Sequence, residues 1–263
     1  MTHIVPFTQV DAFAHAPFTG NPAAVMPLDT WLPDEVLQGI AAENNLAETA
    51  FTVPLPPVSG ADYELRWFTP SVEIALCGHA TLASGHVLIG DRAALSFRTR
   101  QAGDLVVARE GQALSLRLPD WAAQPKPLAG LADAMGGEVV ETLWREGGYA
   151  VFVYPDEAAI RSLTPDFHRL RDLGNILLIA TAPGTVAEVV SRAFLAGGGV
   201  EEDPVTGSAH CVIAAYWARR LGRDHFTAYQ ASARGGYLGV RIDGGHVTLT
   251  GACRTIIRGE YLL

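Results

Sequence analysis

Cysteine is scarce in this chain of 263 residues: Cys77, Cys211 and Cys253 are odd in number, far apart, and form no Cys-x-x-Cys pair. A disulfide framework is excluded, and reduced thiols in a cytoplasm are the expectation. Positive charge is also short. Nineteen Lys plus Arg against twenty-eight Asp plus Glu leave a net charge of −9, with no basic run anywhere. Nucleic acid and anionic membrane surfaces are therefore not expected partners. Long apolar runs are missing too: the longest uncharged stretch, Ile74 to Gly90, holds His79, His86 and three glycines, which does not read as a membrane span. The opening residues, MTHIVPFTQVDAF, have neither the basic start nor the apolar segment of a secretory leader. What is abundant is core material. Hydrophobic residues make up 49% and charged residues only 18%, which excludes a disordered or coiled-coil chain. The length falls between one and two domains of about 150 residues.

Alternation over Ile4 to Phe13, Ala47 to Val53 and Tyr63 to Phe68 reads as strand. Pro33, followed by Asp34 and Glu35, opens a helix to about Asn44, and a second helix follows Gly78. Leu95 to Thr99, Leu105 to Arg109 and Leu114 to Leu118 read as a strand meander. Pro119, Pro125 and Pro127 then interrupt both periodicities, so Asp120 to Pro127 is the expected linker. Residues 1–118 form the first expected half and 119–253 the second, with the last strand, 254–263, able to return to the first. The second half repeats the recipe. Strands are expected near Val139 to Leu143, Ala150 to Tyr154, Ile176 to Thr181 and Val186 to Leu195, a helix after Gly207, and closing strands around Phe226 to Ala231, Gly239 to Ile242 and Val247 to Thr250.

An internal repeat supports two related halves. Glu73 through Ala80 (EIALCGHA) and Glu202 through Ala209 (EDPVTGSA) share the pattern Glu-x-x-aliphatic-Cys/Thr-Gly-polar-Ala, at an offset of 129 residues from Cys77 to Thr206. Both copies run into an apolar helical stretch and end near a glycine with Asp and Arg. A small residue, a glycine and a polar residue at a helix mouth expose backbone N–H groups without intrahelical acceptors, an arrangement that binds anions. Two such ends facing one cleft would grip two carboxylates, or one carboxylate and a developing enolate. The same glycines would serve equally as tight turns before core helices.

Cys77, at a helix start, is a candidate activated thiol, or an inert core residue. Thr206 holds the matching place, so a two-thiol acid/base device is excluded. Glu48 lies among Ala47, Ala50 and Phe51, where burial is expected to raise a carboxyl pKa toward the range useful for proton transfer. Asp203 is either a capping acid or a group that holds a substrate ammonium or hydroxyl. His79 and His86 share a helix face but have no third ligand spaced for zinc, so no metal is expected. Gly197 to Gly199 precede two acids, which would repel a dinucleotide pyrophosphate.

Four segments carry a resemblance: Gly20 to Val25 (GNPAAV), Asn45 to Phe51 (NLAETAF), Cys77 to Thr81 (CGHAT) and Glu202 to Ala209. In this order they resemble the signature segments of PhzF-like phenazine-biosynthesis isomerases, and Gln230 to Gly236 and the C-terminal strand also fit. The resemblance implies an α+β, diaminopimelate epimerase-like fold, with two pseudo-symmetric domains, each a sheet curled around a central helix, and an active cleft between them. It also implies a cofactor-independent isomerase in which Glu48 takes a proton from a small carboxylate of the dihydro-hydroxyanthranilate type and returns one elsewhere. His79 and Asp203 are its expected catalytic partners. Asn21, Cys77, Gly78, Thr206, Gly207 and Ser208 are expected to bind substrate, and a homodimer is the expected assembly. Two alternatives stay open: a one-thiol racemase or epimerase using Cys77, and a non-catalytic binder of small carboxylates.

Overall fold

Alternation builds β1 (Ile4–Ala12), whereas β2 (Asn21–Pro27) has none, because strands bond it on both sides and both its faces are covered. That is why this strand escaped the sequence reading. The computed structural model describes residues 4–263; Met1 to His3, part of the segment read for a leader, lie outside the described residues. α1 (Asp34–Asn44) starts behind Pro33, carries Asp34 and Glu35 in its first turn, and closes at Asn45 in the left-handed conformation. It links β2 to β3 (Glu48–Pro54), which run parallel and so require such a crossover. β4 (Tyr63–Phe68) returns antiparallel and pairs with a short arm, β5 (Glu73–Ile74). The crossover helix α2 (Gly78–Leu88) then leads to β6 (Ala94–Thr99), parallel to β4. β7 (Asp104–Glu110) and β8 (Ala113–Pro119) complete the meander.

The proline-rich stretch read as a linker contains a two-residue strand, β9 (Gln124–Pro125), paired with Leu143 and Trp144. Proline is tolerated there because an edge strand leaves one backbone side unbonded. α3 (Ala129–Met135), β10 (Glu141–Arg145) and β11 (Tyr149–Val153) follow. Two short helices, α4 (Glu157–Ser162) and α5 (Phe167–Arg171), cross to β12 (Leu177–Pro183), which is parallel to β11. β13 (Val189–Leu195) starts three residues later than its apolar run suggested, since Gly184 to Glu188 close a turn through the Gly184 N–H to Glu188 O bond. β14 (Val200–Asp203), α6 (Gly207–Leu221), β15 (His225–Gln230), β16 (Gly236–Asp243) and β17 (His246–Gly251) come next. The last strand, β18 (Cys253–Leu262), lies antiparallel to β1. The chain divides into two compact units, one running up to Arg117 and resuming over Thr250–Leu263, the other Leu118–Leu249.

The two units repeat one plan. β1 to β7 and β10 to β16 pair in the same order of senses: antiparallel, parallel, antiparallel, an antiparallel arm, a parallel crossover, then antiparallel. The first position of the sequence repeat has a structural purpose in both. Arg66 of β4 grips Glu73 with two hydrogen bonds of 2.8 Å, and Arg192 of β13 grips Glu202 at 2.7 and 2.9 Å. These planar forks tie each arm to its neighbouring strand just before the crossover helix begins.

Each unit has a crossover helix at its centre. α2 is buried without interruption from His79 to Gly85 and contacts β1, β2, β3 and β7, so it is a core helix rather than an amphipathic one. It packs so close that a Cβ at Gly85 would fall 2.4 Å from Val107 Cγ1 of β7. Its buried hydroxyls are satisfied within the helix, Thr81 donating to Cys77 O at 2.6 Å and Ser84 to Ala80 O at 2.8 Å. α6 buries Cys211, Val212, Ile213 and Trp217, contacts β11 and β16, and ends at Gly222 in the left-handed conformation. The outer faces are sealed separately. α1 covers Met26, Phe51 and Phe68 in the first unit, and α3 to α5 cover Phe152, Leu178 and Phe194 in the second.

Candidate active site

In the first unit, β2 and β3 run parallel with Ala23 opposite Glu48, so Asn21 and Glu48 leave the same end of neighbouring strands. Cys77 occupies the extended cap position of α2, and Gly78 is its first helical residue. The first intrahelical bond is Thr81 N–H to Cys77 O at 3.2 Å. The amides of Gly78, His79 and Ala80 thus have no acceptor within the helix, and they give its end a partial positive charge.

His79 is the hub. Its Nδ1 lies 3.2 Å from Asn21 Nδ2 and 3.5 Å from Cys77 Sγ, while its Nε2 lies 3.0 Å from Glu48 Oε2. The last two atoms are buried and in contact, yet neither has an aligned hydrogen bond. Burial alone would lower the imidazole pKa, but Cys77 and the Glu48 carboxylate outweigh it and hold His79 well above the ordinary histidine value. Burial, then the Glu48 charge, push the Cys77 thiol up. Glu48 is less enclosed than its apolar sequence neighbours suggested: its side chain keeps 17% of its exposure, against 6% for His79. The reading from Ala47, Ala50 and Phe51 missed the imidazole as its partner, because the contact joins β3 to α2 across 31 residues. His86 does not join His79; its Nε2 lies 3.0 Å from Thr255 Oγ1 on β18.

In the second unit, Thr206 takes the cap position of α6 in the same extended conformation as Cys77, and Gly207 begins the helix. Here the turn is locked by hydrogen bonds. Gln230, wholly buried at the end of β15, accepts from Thr206 N–H at 2.8 Å and donates to Asp203 O at 2.7 Å and to Thr206 Oγ1 at 3.1 Å. The Thr206 hydroxyl donates to the Asp203 carboxylate, so Thr206 rather than Asp203 stands at the cap. Below the turn, buried His210 donates from Nδ1 to Thr206 O at 2.8 Å and accepts from Ser191 Oγ at 3.3 Å. Burial drops its pKa to about 4, so the ring is neutral. Ser208 bonds the Tyr149 hydroxyl, whose pKa burial raises. Gln230, His210 and Tyr149 had no assigned role from sequence. Gln230 had one signal, a polar side chain at the inward position of a strand otherwise closed by Tyr229 and Ala231.

The structure thus brings Asn21, Glu48, Cys77, Gly78 and His79 together in one unit, and Asp203, Thr206, Gly207 and Ser208 in the other. Among the described residues no helix is long and apolar enough to cross a membrane.

Over residues 10–260 the chain matches the family model described as phenazine biosynthesis-like protein. An uncharacterized isomerase of Pseudomonas aeruginosa is 49% identical over 97% of this chain and 98% of its own. Another, from Halalkalibacterium halodurans, is 39% identical over 98% of each. The crystal structure of a phenazine biosynthesis protein of the PhzF family from Enterococcus faecalis aligns with a TM-score of 0.92 at 40% identity, covering 99% of this chain and 100% of that one. A hydroxyproline epimerase from Agrobacterium vitis, 13% identical, aligns with a TM-score of 0.62 over 99% of this chain and 93% of its own, a likeness of fold alone. The fold is therefore of the diaminopimelate epimerase-like type, and the chain belongs to the PhzF-like family of isomerases.

Proposed function

We propose that this chain is a cofactor-independent isomerase that moves a proton on a small carboxylate, in a reaction of the dihydro-hydroxyanthranilate type. One observation carries the reading: Glu48 Oε2 and His79 Nε2 meet at 3.0 Å, buried, with no aligned hydrogen bond on either atom. Buried polar atoms are normally satisfied, so the pair is poised for a third partner, the proton of a substrate C–H bond. Glu48 acts as the base that removes this proton and the acid that returns it. His79 holds the carboxylate and shares the proton, which its raised pKa favours. Asp203 is assigned the assisting polar role, and Asn21, Cys77, Gly78, Thr206, Gly207 and Ser208 bind substrate. The helix-end amides of Gly78 and Gly207 oppose the negative charge of a carboxylate or of the enolate that forms when the proton leaves.

Screening small cyclic and amino carboxylates for deuterium uptake in heavy water tests this proposal. Uptake that disappears in Glu48→Gln is expected; binding without exchange by the wild-type protein would leave a carboxylate binder instead. The racemase reading has one observation in its favour, the 3.5 Å approach of Cys77 Sγ to His79 Nδ1. Against it stand the raised thiol pKa and the threonine at the matching position. We also infer a cytoplasmic location, supported by three free thiols and tested by fractionation, and a homodimer, tested by light scattering.

A further inference from the structure

The carboxylate and imidazole have a third neighbour, and the three together have the chemistry of a metal site. One donor atom from each of Glu48, Cys77 and His79 lies within 4.8 Å of the other two. Carboxylate oxygen, thiolate sulfur and imidazole nitrogen are the donor types zinc takes. A tetrahedral ion with bonds of about 2.0 to 2.3 Å sets its ligand atoms roughly 3.3 to 3.8 Å apart. Through Nε2, the Oε2 contact of 3.0 Å is already near that scale; Cys77 Sγ lies 3.5 Å from the other ring nitrogen, Nδ1, so it is the thiol that must swing toward Nε2, by about an ångström, to close the set.

Two further observations point to a ligand. Glu48 Oε2 and His79 Nε2 are buried atoms without an aligned hydrogen bond, so once the ring gives up its proton each has a lone pair to offer a cation. Charge also balances: a carboxylate and a thiolate carry two negative charges and the imidazole none, so a divalent ion leaves this largely buried cluster neutral, avoiding the cost of an unpaired buried charge. Asn21 supports the ring from Nδ1. Its amide can turn either nitrogen or oxygen to that atom, the outer support that orients a ligating histidine.

We propose that Glu48, Cys77 and His79 form a site for a borderline-soft divalent cation, Zn²⁺ foremost, and that the bound ion arrests proton transfer by occupying the base. The Cys77 thiol and the His79 imidazolium each release a proton to the buffer as the metal–sulfur and metal–nitrogen bonds form, and water fills the fourth position. The site itself stands on geometry; the arrest rests on the isomerase reading above.

Co²⁺ titration of the whole chain, read by absorbance, tests it. One equivalent should give visible bands and a near-ultraviolet thiolate-to-cobalt band, both erased by Zn²⁺. Cys77→Ser should lose the near-ultraviolet band, whereas Cys253→Ser, altered on β18, should keep it. Glu48→Gln should keep the band and weaken Zn²⁺ competition at least tenfold, which holds the test open if the Cys77 variant does not fold. A band that persists in folded Cys77→Ser, or none in the wild type, overturns the site. Equimolar Zn²⁺ should stop deuterium exchange and a chelator restore it; undiminished exchange with metal bound overturns the arrest. If the bands form but no carboxylate exchanges hydrogen, the metal site stands and the isomerase reading falls.

Discussion

The forked pair Arg66–Glu73 should be asymmetric under mutation. Arg66 has 2% of its side chain exposed, while Glu73 keeps 29% and the second partner, Asp34, keeps 67%. Removing the arginine strands two carboxylates that water already reaches. Removing Glu73 strands a guanidinium that water does not reach, leaving it one bond to Asp34 at 2.9 Å and its stacking over Trp31 and Phe68, about 5 Å from each ring. Breaking a buried pair in the direction that leaves the buried charge behind costs about 3–5 kcal/mol. The residual Asp34 and aromatic contacts place Glu73→Ala near the lower end, about 3 kcal/mol. Arg66→Met refills the slot between Trp31 and Phe68 with an apolar chain of similar length and should cost only about 1 kcal/mol, the scale of a volume-conserving swap.

Urea unfolding of the two single variants and the double variant measures the difference directly. The double variant Arg66→Met/Glu73→Ala should be more stable than Glu73→Ala alone, since it removes the stranded charge. The pair also has a pH signature. Its hydrogen bond with Arg66 holds the Glu73 carboxyl below its ordinary value of 4.5, so its contribution is present above that pH and is lost as pH falls through the depressed folded value. If Arg66→Met proved the more damaging change, the argument from unequal burial would be refuted.

Four further outcomes follow from the site. Glu48→Gln should fold normally and lose two to four orders of magnitude in turnover, the usual share of acid/base catalysis; wild-type deuterium exchange in a folded variant would remove Glu48 from its role. Cys77→Ala should keep a substantial part of the activity, and a loss beyond about a thousandfold would restore the racemase. Gln230→Leu removes three hydrogen bonds from the Asp203 to Thr206 turn and should destabilise the protein by about 1–3 kcal/mol, seen as a shifted urea midpoint; an unchanged midpoint would show that the turn holds without it. Because the imidazole pKa of His79 is raised on folding, its contribution is full below about pH 6.5 and fades as pH rises through the folded value; the stability gap between wild type and His79→Gln, followed from pH 6 to 9, should narrow upward.

The architecture was legible in the sequence wherever one face of an element meets water. α1, β4 and the β6 to β8 meander carry the period of their own type, and their limits were read within a residue or two. β2 was not legible: covered on both faces, it is apolar from Pro22 to Pro27 and keeps no alternation to read. The arms β5 and β14 were too short for any period, yet their glutamates marked them, because each arm needs a carboxylate to meet the arginine of the strand beside it. α3 to α5 escaped notice as helices of seven, six and five residues, shorter than the two turns over which a helical stripe can be recognised. At the site, the helix starts at Gly78 and Gly207 were visible as local patterns. The contacts that distinguish them were not: Glu48 to His79 and Gln230 to Thr206 join different elements, and no local spacing encodes them.

The repeat explains how one plan yields two kinds of site. Backbone geometry is common to both helix starts: an extended cap residue, a glycine, and amides left without helical acceptors. The side chains then diverge at two places, Cys77 against Thr206 and His79 against Ser208. A threonine hydroxyl is a hydrogen-bond donor that does not titrate near neutral pH, and here it is spent on Asp203 while Gln230 fills the remaining valences of the turn. Such a turn is rigid and polar, suited to holding a charged group. In the other copy an imidazole and a carboxylate meet without an aligned bond, which leaves a proton acceptor uncommitted. On the proposed function, retaining the frame while exchanging these side chains separates anion holding, assigned to the backbone amides of both copies, from proton movement, assigned to the copy in which His79 stands beside Glu48.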